Sequence, residues 1–310
     1  MINNSNKLVS IIITTYNRGD FLIKRSIPSV FNQTHNNCEF IVVDDCSIDN
    51  TESLIRKIGK QDKRVKYFKT PANGGISVAR NLGIRKSKGD FIAFLDDEDE
   101  FLPLFVEEAL KAFSNSSEKV AGLVPSMIIR YEGGREIVST PTEIFWKTGM
   151  GNGWIFRKSV FLKSSLSFNE NLRSLEDLDF SLRFGEKFIF HVLKKPLFRY
   201  YTSAPKFNFK SPLGDKRYKD YLIKDLTAVF NQNLFFYKTK GKKELAWFYF
   251  FVGIHYCQFS KIKEGRRMLL KSFFIYPALR TLYNLLGCLM GYKAFLILFG
   301  FKSKIRELFH

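Results

Sequence analysis

Gly89-Asp-Phe-Ile-Ala-Phe-Leu-Asp-Asp-Glu-Asp-Glu-Phe-Leu-Pro103 joins an apolar run directly to a block of acids. Phe91 to Leu95 is apolar throughout, as a strand buried on both faces requires. Asp96, Asp97, Glu98 and Asp99 follow without a spacer, with Glu100 behind them. Adjacent acids repel, so ending a buried strand on them costs free energy unless a cation or hydrogen-bond donors compensate. Hard divalent cations such as Mg²⁺ or Mn²⁺ take oxygen ligands and keep positions open for substrate phosphates. A solvated acidic loop, or a helix N-terminus whose dipole favours acids, accounts for the same residues without any ligand.

The neighbouring segments tip that balance toward a site. Upstream, Val9-Ser-Ile-Ile-Ile-Thr14 has the β-branched composition of a strand, and Thr15-Tyr-Asn-Arg-Gly19 reads as a turn. Asp20 is placed to cap a helix reaching about Phe31, with a kink at Pro28. Residues 40–43 form a second buried strand that ends in Asp44-Asp-Cys-Ser47, and a helix spans 51–58. Residues 65–68 form a third strand, followed by the loop Pro71-Ala-Asn-Gly-Gly75 and a helix over 77–85. Strands alternating with helices at this spacing predict a mostly parallel sheet with helices on both faces. Ligands of such sheets bind outside the carboxyl ends of the strands. Three of those ends carry Thr14–Tyr16, Asp44–Asp45 and Asp96–Glu98, which converge on one crevice.

Downstream, a helix is expected from Pro103 to about Asn115, then a hairpin of 123–131 with 136–139 across Glu132-Gly-Gly-Arg135. Gly149-Met-Gly-Asn-Gly153 is a loop leading into Trp154. Residues 174–183 read as a helix with Leu175, Leu178 and Leu182 on one face. Residues 189–193 and 197–201 read as two short strands. The loop-like stretch 205–212 divides a catalytic domain, 1–204, from a basic, aromatic-rich helical region, 205–310.

With 310 residues and 45% hydrophobic content the chain can bury a full core. Cys38, Cys46, Cys257 and Cys288 are scattered without metal-ligand spacing and read as reduced thiols. Met1 to Lys7 is polar, with no signal peptide before the first apolar run. The net charge of +19 is uneven: from Pro205 onward there are 20 Lys/Arg against 6 Asp/Glu. That surplus fits a nucleic acid or an anionic membrane. The abundant Phe, Leu and Tyr of the same region favour the membrane, with no nucleic-acid partner. Helices are expected over about 219–237, 243–260, 262–274 and 277–301. Residues 244–259 are apolar but short of the ~20 residues needed to span a bilayer. Residues 283–301 carry Lys293 near the middle, a penalty of about 3 kcal/mol in a spanning helix. Helices lying in the membrane interface, or a bundle packed with its apolar faces inward, both satisfy this pattern.

Taken together, VSIIITTYNR (9–18), VDDCSIDNT (43–51), NGGISVARNLGI (73–84), the acidic stretch (89–103) and LEDLDFSLR (175–183) resemble one large family. It is the bacterial family 2-like group of inverting nucleotide-sugar glycosyltransferases with the GT-A fold. The segments stand in the family's order and spacing and cover roughly 8–204. The resemblance implies that Thr14, Tyr16 and Asp45 hold the nucleobase and ribose, Tyr16 by stacking and Asp45 by accepting hydrogen bonds. It implies that Gly74 and Gly75 let the backbone approach the diphosphate and that Arg80 offers it a charged fork. The metal-binding triplet falls on Asp96-Asp97-Glu98, with Asp96 and Asp97 at the donor and Asp97 and Glu98 toward a Mn²⁺ or Mg²⁺ ion. Its last position is usually Asp, and the longer Glu98 moves the carboxylate by over ~1 Å. No histidine stands near Arg199-Tyr-Tyr-Thr202, where many relatives have one, so no third protein ligand is assigned, and His191 reads as a strand residue.

Asp177 matches the family's general base, paired with Glu176; the bland reading of both is a solvated acidic helix face. Glu176 and Trp154 are placed at the acceptor, Trp154 either stacking on a sugar or packed in the core. The expectation is therefore a metal-dependent inverting glycosyltransferase. It would use a nucleoside-diphosphate sugar, UDP-linked, and a saccharide or lipid-linked acceptor, at the cytoplasmic face of a membrane. A nucleotidyltransferase on a similar sheet and a non-catalytic sugar-nucleotide binder are the rival readings. A dinucleotide-dependent oxidoreductase is disfavoured, because no G-x-G-x-x-G follows the first strand.

Overall fold

The computed structural model describes residues 4, 6–141, 151–164, 166–202, 216–259 and 261–289. The chain divides into two compact units, Met1–Phe209 and Lys210–His310. The expected boundary at 205–212 lies outside the described residues.

The first unit is built on strands β1 (Val9–Thr15), β2 (Cys38–Asp44), β3 (Val65–Lys69) and β4 (Phe91–Asp96), which pair in parallel in the order β3-β2-β1-β4. Alternation decides which face each residue covers. Ile11, Ile13, Phe40, Val42, Ala93 and Leu95 enter one core. Ile12, Ile41, Val43, Ile92 and Phe94 enter the other. Both faces are apolar, so both must be covered by helices. Helices α2 (Ile27–Phe31), α3 (Thr51–Gln61) and α5 (Phe105–Ser114) supply Val30, Ile55 and Phe105 to the first core, and Leu22, just after the short helix α1 (Gly19–Phe21), joins them. Helices α4 (Ile76–Lys86), α6 (Ser159–Lys163) and α7 (Glu176–Lys187) supply Ala79, Phe161 and Phe180 to the second.

Beyond β4 the sheet becomes mixed, with parallel and antiparallel pairs side by side. Strand β8 (Ile155–Arg157) runs antiparallel to β4 and to β6 (Val120–Tyr131). Strand β9 (Ile189–Thr202) runs parallel to β6, and β5 (Glu100–Phe101) pairs antiparallel with β9. The expected hairpin forms between β6 and β7 (Glu136–Ser139).

Three expected elements differ in detail. The helix after β1 is capped at Arg18, not Asp20, and it widens into a π-helical turn over Leu22–Ser26 before α2. Pro28 explains the widening, since it has no N–H to give the carbonyl of Lys24. The two strands expected at 189–193 and 197–201 are one strand. Pro125 pairs with Leu193 and Ser126 with Pro196, so Lys194 and Lys195 bulge out of a continuous ladder. Leu175 is not on the α7 face: it precedes the helix in a left-handed conformation, φ 58°, while Leu178 and Leu182 are buried.

The second unit contains α8 (Lys216–Thr239), α9 (Lys242–Gln258), α10 (Ile262–Ile275) and α11 (Leu279–Leu289). Tyr237 of α8 stacks on Phe248 of α9 at 3.8 Å. Phe250, Ile254 and Cys257 of α9, Leu269 of α10, and Leu285 and Cys288 of α11 form a common core. Residues 290–301 of the last expected helix lie outside the described residues.

Candidate active site

The acids after β4 sit in the short turn between β4 and β5, and each has a distinct partner set. Asp97 is buried and accepts from Thr15 Oγ1 at 2.8 Å, with Arg18 Nε 3.5 Å away. Burial pushes its carboxyl up to about 7, although Arg18 and Thr15 pull the other way. Glu98 is half-exposed and pairs with the Arg18 guanidinium, and its carbonyl accepts from Arg25 Nη1 at 3.1 Å. Asp99 is fully buried and accepts from Tyr201 N–H at 2.8 Å and from Asn152 Nδ2. Burial and the nearby Asp96 push Asp99 up to about 8. Asn152 also accepts the Asp96 N–H at 2.9 Å, so one side chain fixes both ends of the turn.

Arg80, on α4, is the hub of the site. It is 3% exposed, and its Nη2 meets Asp96 Oδ1 at 3.3 Å while Nη1 meets Glu176 Oε1 at 3.2 Å. Its guanidinium also lies 5.1 Å from the centre of the Phe168 ring. The fork expected to meet a diphosphate is thus committed to two carboxylates, and Arg80 braces α7 against the end of β4. Glu176, expected at the acceptor, is the partner in that brace. Asp177 is the next residue, at the first turn of α7, and accepts the N–H of Leu178 at 2.7 Å. Removal from water and the adjacent Glu176 push Asp177 up to about 7, while Arg80 draws it down.

The ends of β1 and β2 close the other side. Thr14 is buried opposite Asp96 in the ladder, and the Tyr16 ring is 44% exposed beyond it. Asp45 is buried, and its carboxylate accepts from Thr70 Oγ1 at 2.9 Å, Gly74 N–H at 2.9 Å and Gly75 N–H at 2.7 Å. The sequence places Asp45 on a ribose; the structure uses it to fold the glycine loop onto the sheet. Gly75 has φ +89°, and a Cβ there would lie 2.9 Å from Arg173 Nη1, so both backbone and space demand glycine. Arg173 also donates to the Asn73 carbonyl at 3.4 Å, linking the approach to α7 with the loop before α4.

Trp154 corrects an expectation. It is 4% exposed, stacks on Phe156 at 5.8 Å and tilts against Phe190, so it offers no face to a sugar. The apolar surface of an indole ring outweighs its single donor, and the second core claims it. The sequence reading missed Arg18, Asn152 and Arg173. Of these only Arg18 had a signal, a lone cation in the first strand's turn answering a run of four acids.

Whether these residues suit a cation follows from the donor set. Asp97 and Glu98 offer two carboxylates at one strand end. Among the described residues no group of three His, Cys, Asp or Glu is placed to hold a metal ion. Two carboxylates fit an ion shared with substrate phosphates, as Mg²⁺ commonly is, and do not fit an ion caged by protein alone.

The chain belongs to glycosyl transferase family 2, whose model matches residues 10–167. It is 34% identical over 237 residues to an uncharacterized glycosyltransferase of Rickettsia bellii, covering 72% of this chain but 32% of that protein. The chain thus spans about a third of that relative's length. It is 29% identical over 271 residues to the GalNAc(5)-diNAcBac-PP-undecaprenol beta-1,3-glucosyltransferase of Campylobacter jejuni, covering 82% of this chain and 84% of that one. Among solved structures, S. aureus TarS 1-349 in complex with UDP-GlcNAc superposes with a TM-score of 0.63 at 17% identity, over 94% of this chain and 90% of that one. The mannosyltransferase PcManGT from Pyrobaculum calidifontis, in complex with GDP-Man and Mn2+, gives 0.56 at 13% identity, over 97% and 86%. The fold is the GT-A arrangement with helices C-terminal to it.

Proposed function

We propose that this glycosyltransferase transfers a sugar, with inversion, from a UDP-sugar to a saccharide or lipid-linked acceptor in polysaccharide or glycolipid assembly. The observation that carries the reading is the Arg80 bridge, which holds Glu176, and with it Asp177, against the carboxyl end of β4. In this reading Asp177, one residue from that bridge, is the base that meets the acceptor hydroxyl. The UDP-GlcNAc held by the S. aureus neighbour supports the donor class, and the polyprenyl diphosphate in the Campylobacter relative's name supports a lipid-linked acceptor.

Asp177, ionised, takes the acceptor hydroxyl's proton as that oxygen attacks C1 of the donor sugar. The new C–O bond forms on the face opposite the diphosphate, whose own bond to C1 breaks with its electron pair leaving on UDP. One displacement inverts the anomeric centre. A carboxyl raised to about 7 is matched to this task near neutral pH. Tyr16, exposed just after β1, offers a ring to stack on the base, and Thr14 is buried two residues before it. Asp45 shapes the diphosphate side indirectly, by pinning Gly74 and Gly75. Asp97 and Glu98, with the donor's phosphates, would hold Mg²⁺ or Mn²⁺, which when bound neutralises charge developing on the leaving diphosphate.

The test is a donor panel. UDP-, GDP- and dTDP-sugars are offered to the purified protein, and release of the free nucleotide is followed with and without lipid-linked and soluble acceptors. UDP release stimulated by an acceptor, with an inverted product linkage, is expected. Turnover of no donor, with UDP still bound, would leave a binding protein.

A further inference from the structure

Helix α9, the most apolar helix by sequence, buries Phe248, Tyr249, Phe250, Val252 and Ile254, so it is the centre of its bundle. Among the described residues, α10 presents an outward face. On a helix, residues three, four, seven and eight apart share a face. Gly265, Leu269 and Ser272 form the buried face of α10, and Lys263, Arg267, Leu270, Lys271 and Phe274 fall on the opposite one. With Ile275 they line a depression of about 500 Å³. Phe274 is 78% exposed, and Leu270 is exposed beside it. Arg266, also on the rim, is turned away from this role, donating through Nε at 2.8 Å to the Cys288 carbonyl at the end of α11. Helix α11 exposes Leu279, Leu282, Leu286 and Leu289, again one face, with Leu279 86% exposed. From Lys261 to Leu289 the sequence has six Lys/Arg and one acid.

We propose that the α10 face is a docking surface for anionic phospholipid, with Phe274 and Leu270 entering the headgroup layer and Lys263, Arg267 and Lys271 meeting phosphates. Charge selects the occupant. A cationic rim around exposed apolar side chains matches an anionic interface, whereas a second copy of this strongly basic face would repel it. No helix among the described residues is long and apolar enough to cross a membrane, which agrees with a face that lies on one. The proposal deepens the lipid-linked reading of the acceptor, but its test does not depend on catalysis.

The full chain is sedimented with vesicles of phosphatidylcholine alone and of phosphatidylcholine mixed with phosphatidylglycerol, at low and high salt. Binding is expected only with phosphatidylglycerol, and it should fall at high salt. Each of Lys263→Gln, Arg267→Gln and Lys271→Gln should lower the partition about fivefold. Phe274→Gln, which leaves charge untouched, should weaken binding as well, while UDP affinity and far-ultraviolet circular dichroism stay at the parental values. Equal binding to both vesicle types, binding unmoved by these substitutions, or no binding would overturn the proposal. So would a dimer in size-exclusion chromatography that Phe274→Gln dissolves, because the face would then join copies of the chain.

Discussion

Asp177 can accept a proton only when ionised, and its carboxyl is raised to about 7 by removal from water and by Glu176. With Asp177 in the proposed role of base, transfer is expected to rise with pH through about 7 and level off above it, since protonation below that value removes its acceptor. Asp177→Asn should abolish this limb and cut turnover by about 10²- to 10⁴-fold while UDP affinity holds. Near-normal turnover by that variant with an acceptor would place the base elsewhere. Glu176→Gln tests the neighbour separately. It loosens one arm of the Arg80 bridge and withdraws a negative charge beside Asp177. The acid limb should move to lower pH, with a smaller loss of turnover than Asp177→Asn gives. At this scale the sequence located the acids at the end of β4 and the start of α7 but not their partners. Asp177 and the acids after β4 were legible from residue type and position. That Arg80 would pair with Asp96 and Glu176, Asp45 with Gly74 and Gly75, and Trp154 with Phe190 was not, because each pairing joins residues 16 or more apart in the chain.

Helix α4 carries Arg80 across the sheet, and its seating depends on Gly83. A Cβ at Gly83 would lie 2.5 Å from Ile12 Cγ2, a stiff branched side chain buried in β1. Alanine gains about 1 kcal/mol in helix propensity over glycine. Overpacking a tight core costs about 1–3 kcal/mol, so the clash should win. Gly83→Ala is expected to lower stability by up to about 2 kcal/mol in urea titration and to reduce UDP affinity as α4 shifts; a stabilised variant would show that Ile12 yields. A second element-level tie is Glu39 of β2, buried beneath Ser10 Oγ at 2.6 Å, the Lys88 N–H at 2.5 Å and Lys66. Burial pushes its carboxyl up, but these three partners prevail and hold it below the ordinary value of 4.5. A depressed carboxyl contributes stability that is present above its unfolded value and lost as pH falls through the folded one. Glu39→Gln should then cost about 2 kcal/mol near neutral pH, with the gap closing below the ordinary carboxylate range. A gap that persists in acid would assign the loss to packing. The four parallel strands were legible because apolar runs report burial on both faces. The π-helical turn and the bulge in β9 were not, since Pro28 and Pro196 marked interruptions without saying how the chain absorbs them.

At the largest scale, charge bears on the proposed donor site at the end of β4. The alternation of strands and helices made the first unit legible, and the basic, aromatic composition made the second legible as helices. Composition did not reveal that α9 is the inner helix and α10 the outer one, because both are rich in apolar residues and only packing separates them. A net charge of +19 draws an anionic nucleotide toward the protein and is screened by salt, but the local sign at the end of β4 is opposite. A phosphate oxygen ~4 Å from one carboxylate is repelled by about 4 kcal/mol at an effective dielectric of ~20. Arg18, paired with Glu98 and close to Asp97, supplies one positive charge against two acids. A divalent cation shared with the phosphates would supply the rest. Calorimetry with UDP should therefore show binding in Mn²⁺ that weakens by about tenfold or more in EDTA and in Glu98→Ala, a loss of at least about 1.4 kcal/mol. Arg18→Met should be tolerated in Mn²⁺, because the cation takes over the charge, and should deepen the loss in EDTA. Equal UDP affinity in Mn²⁺, in EDTA and in Glu98→Ala would remove the cation from donor recognition. Arg18 would then be the countercharge, and Arg18→Met alone should abolish binding.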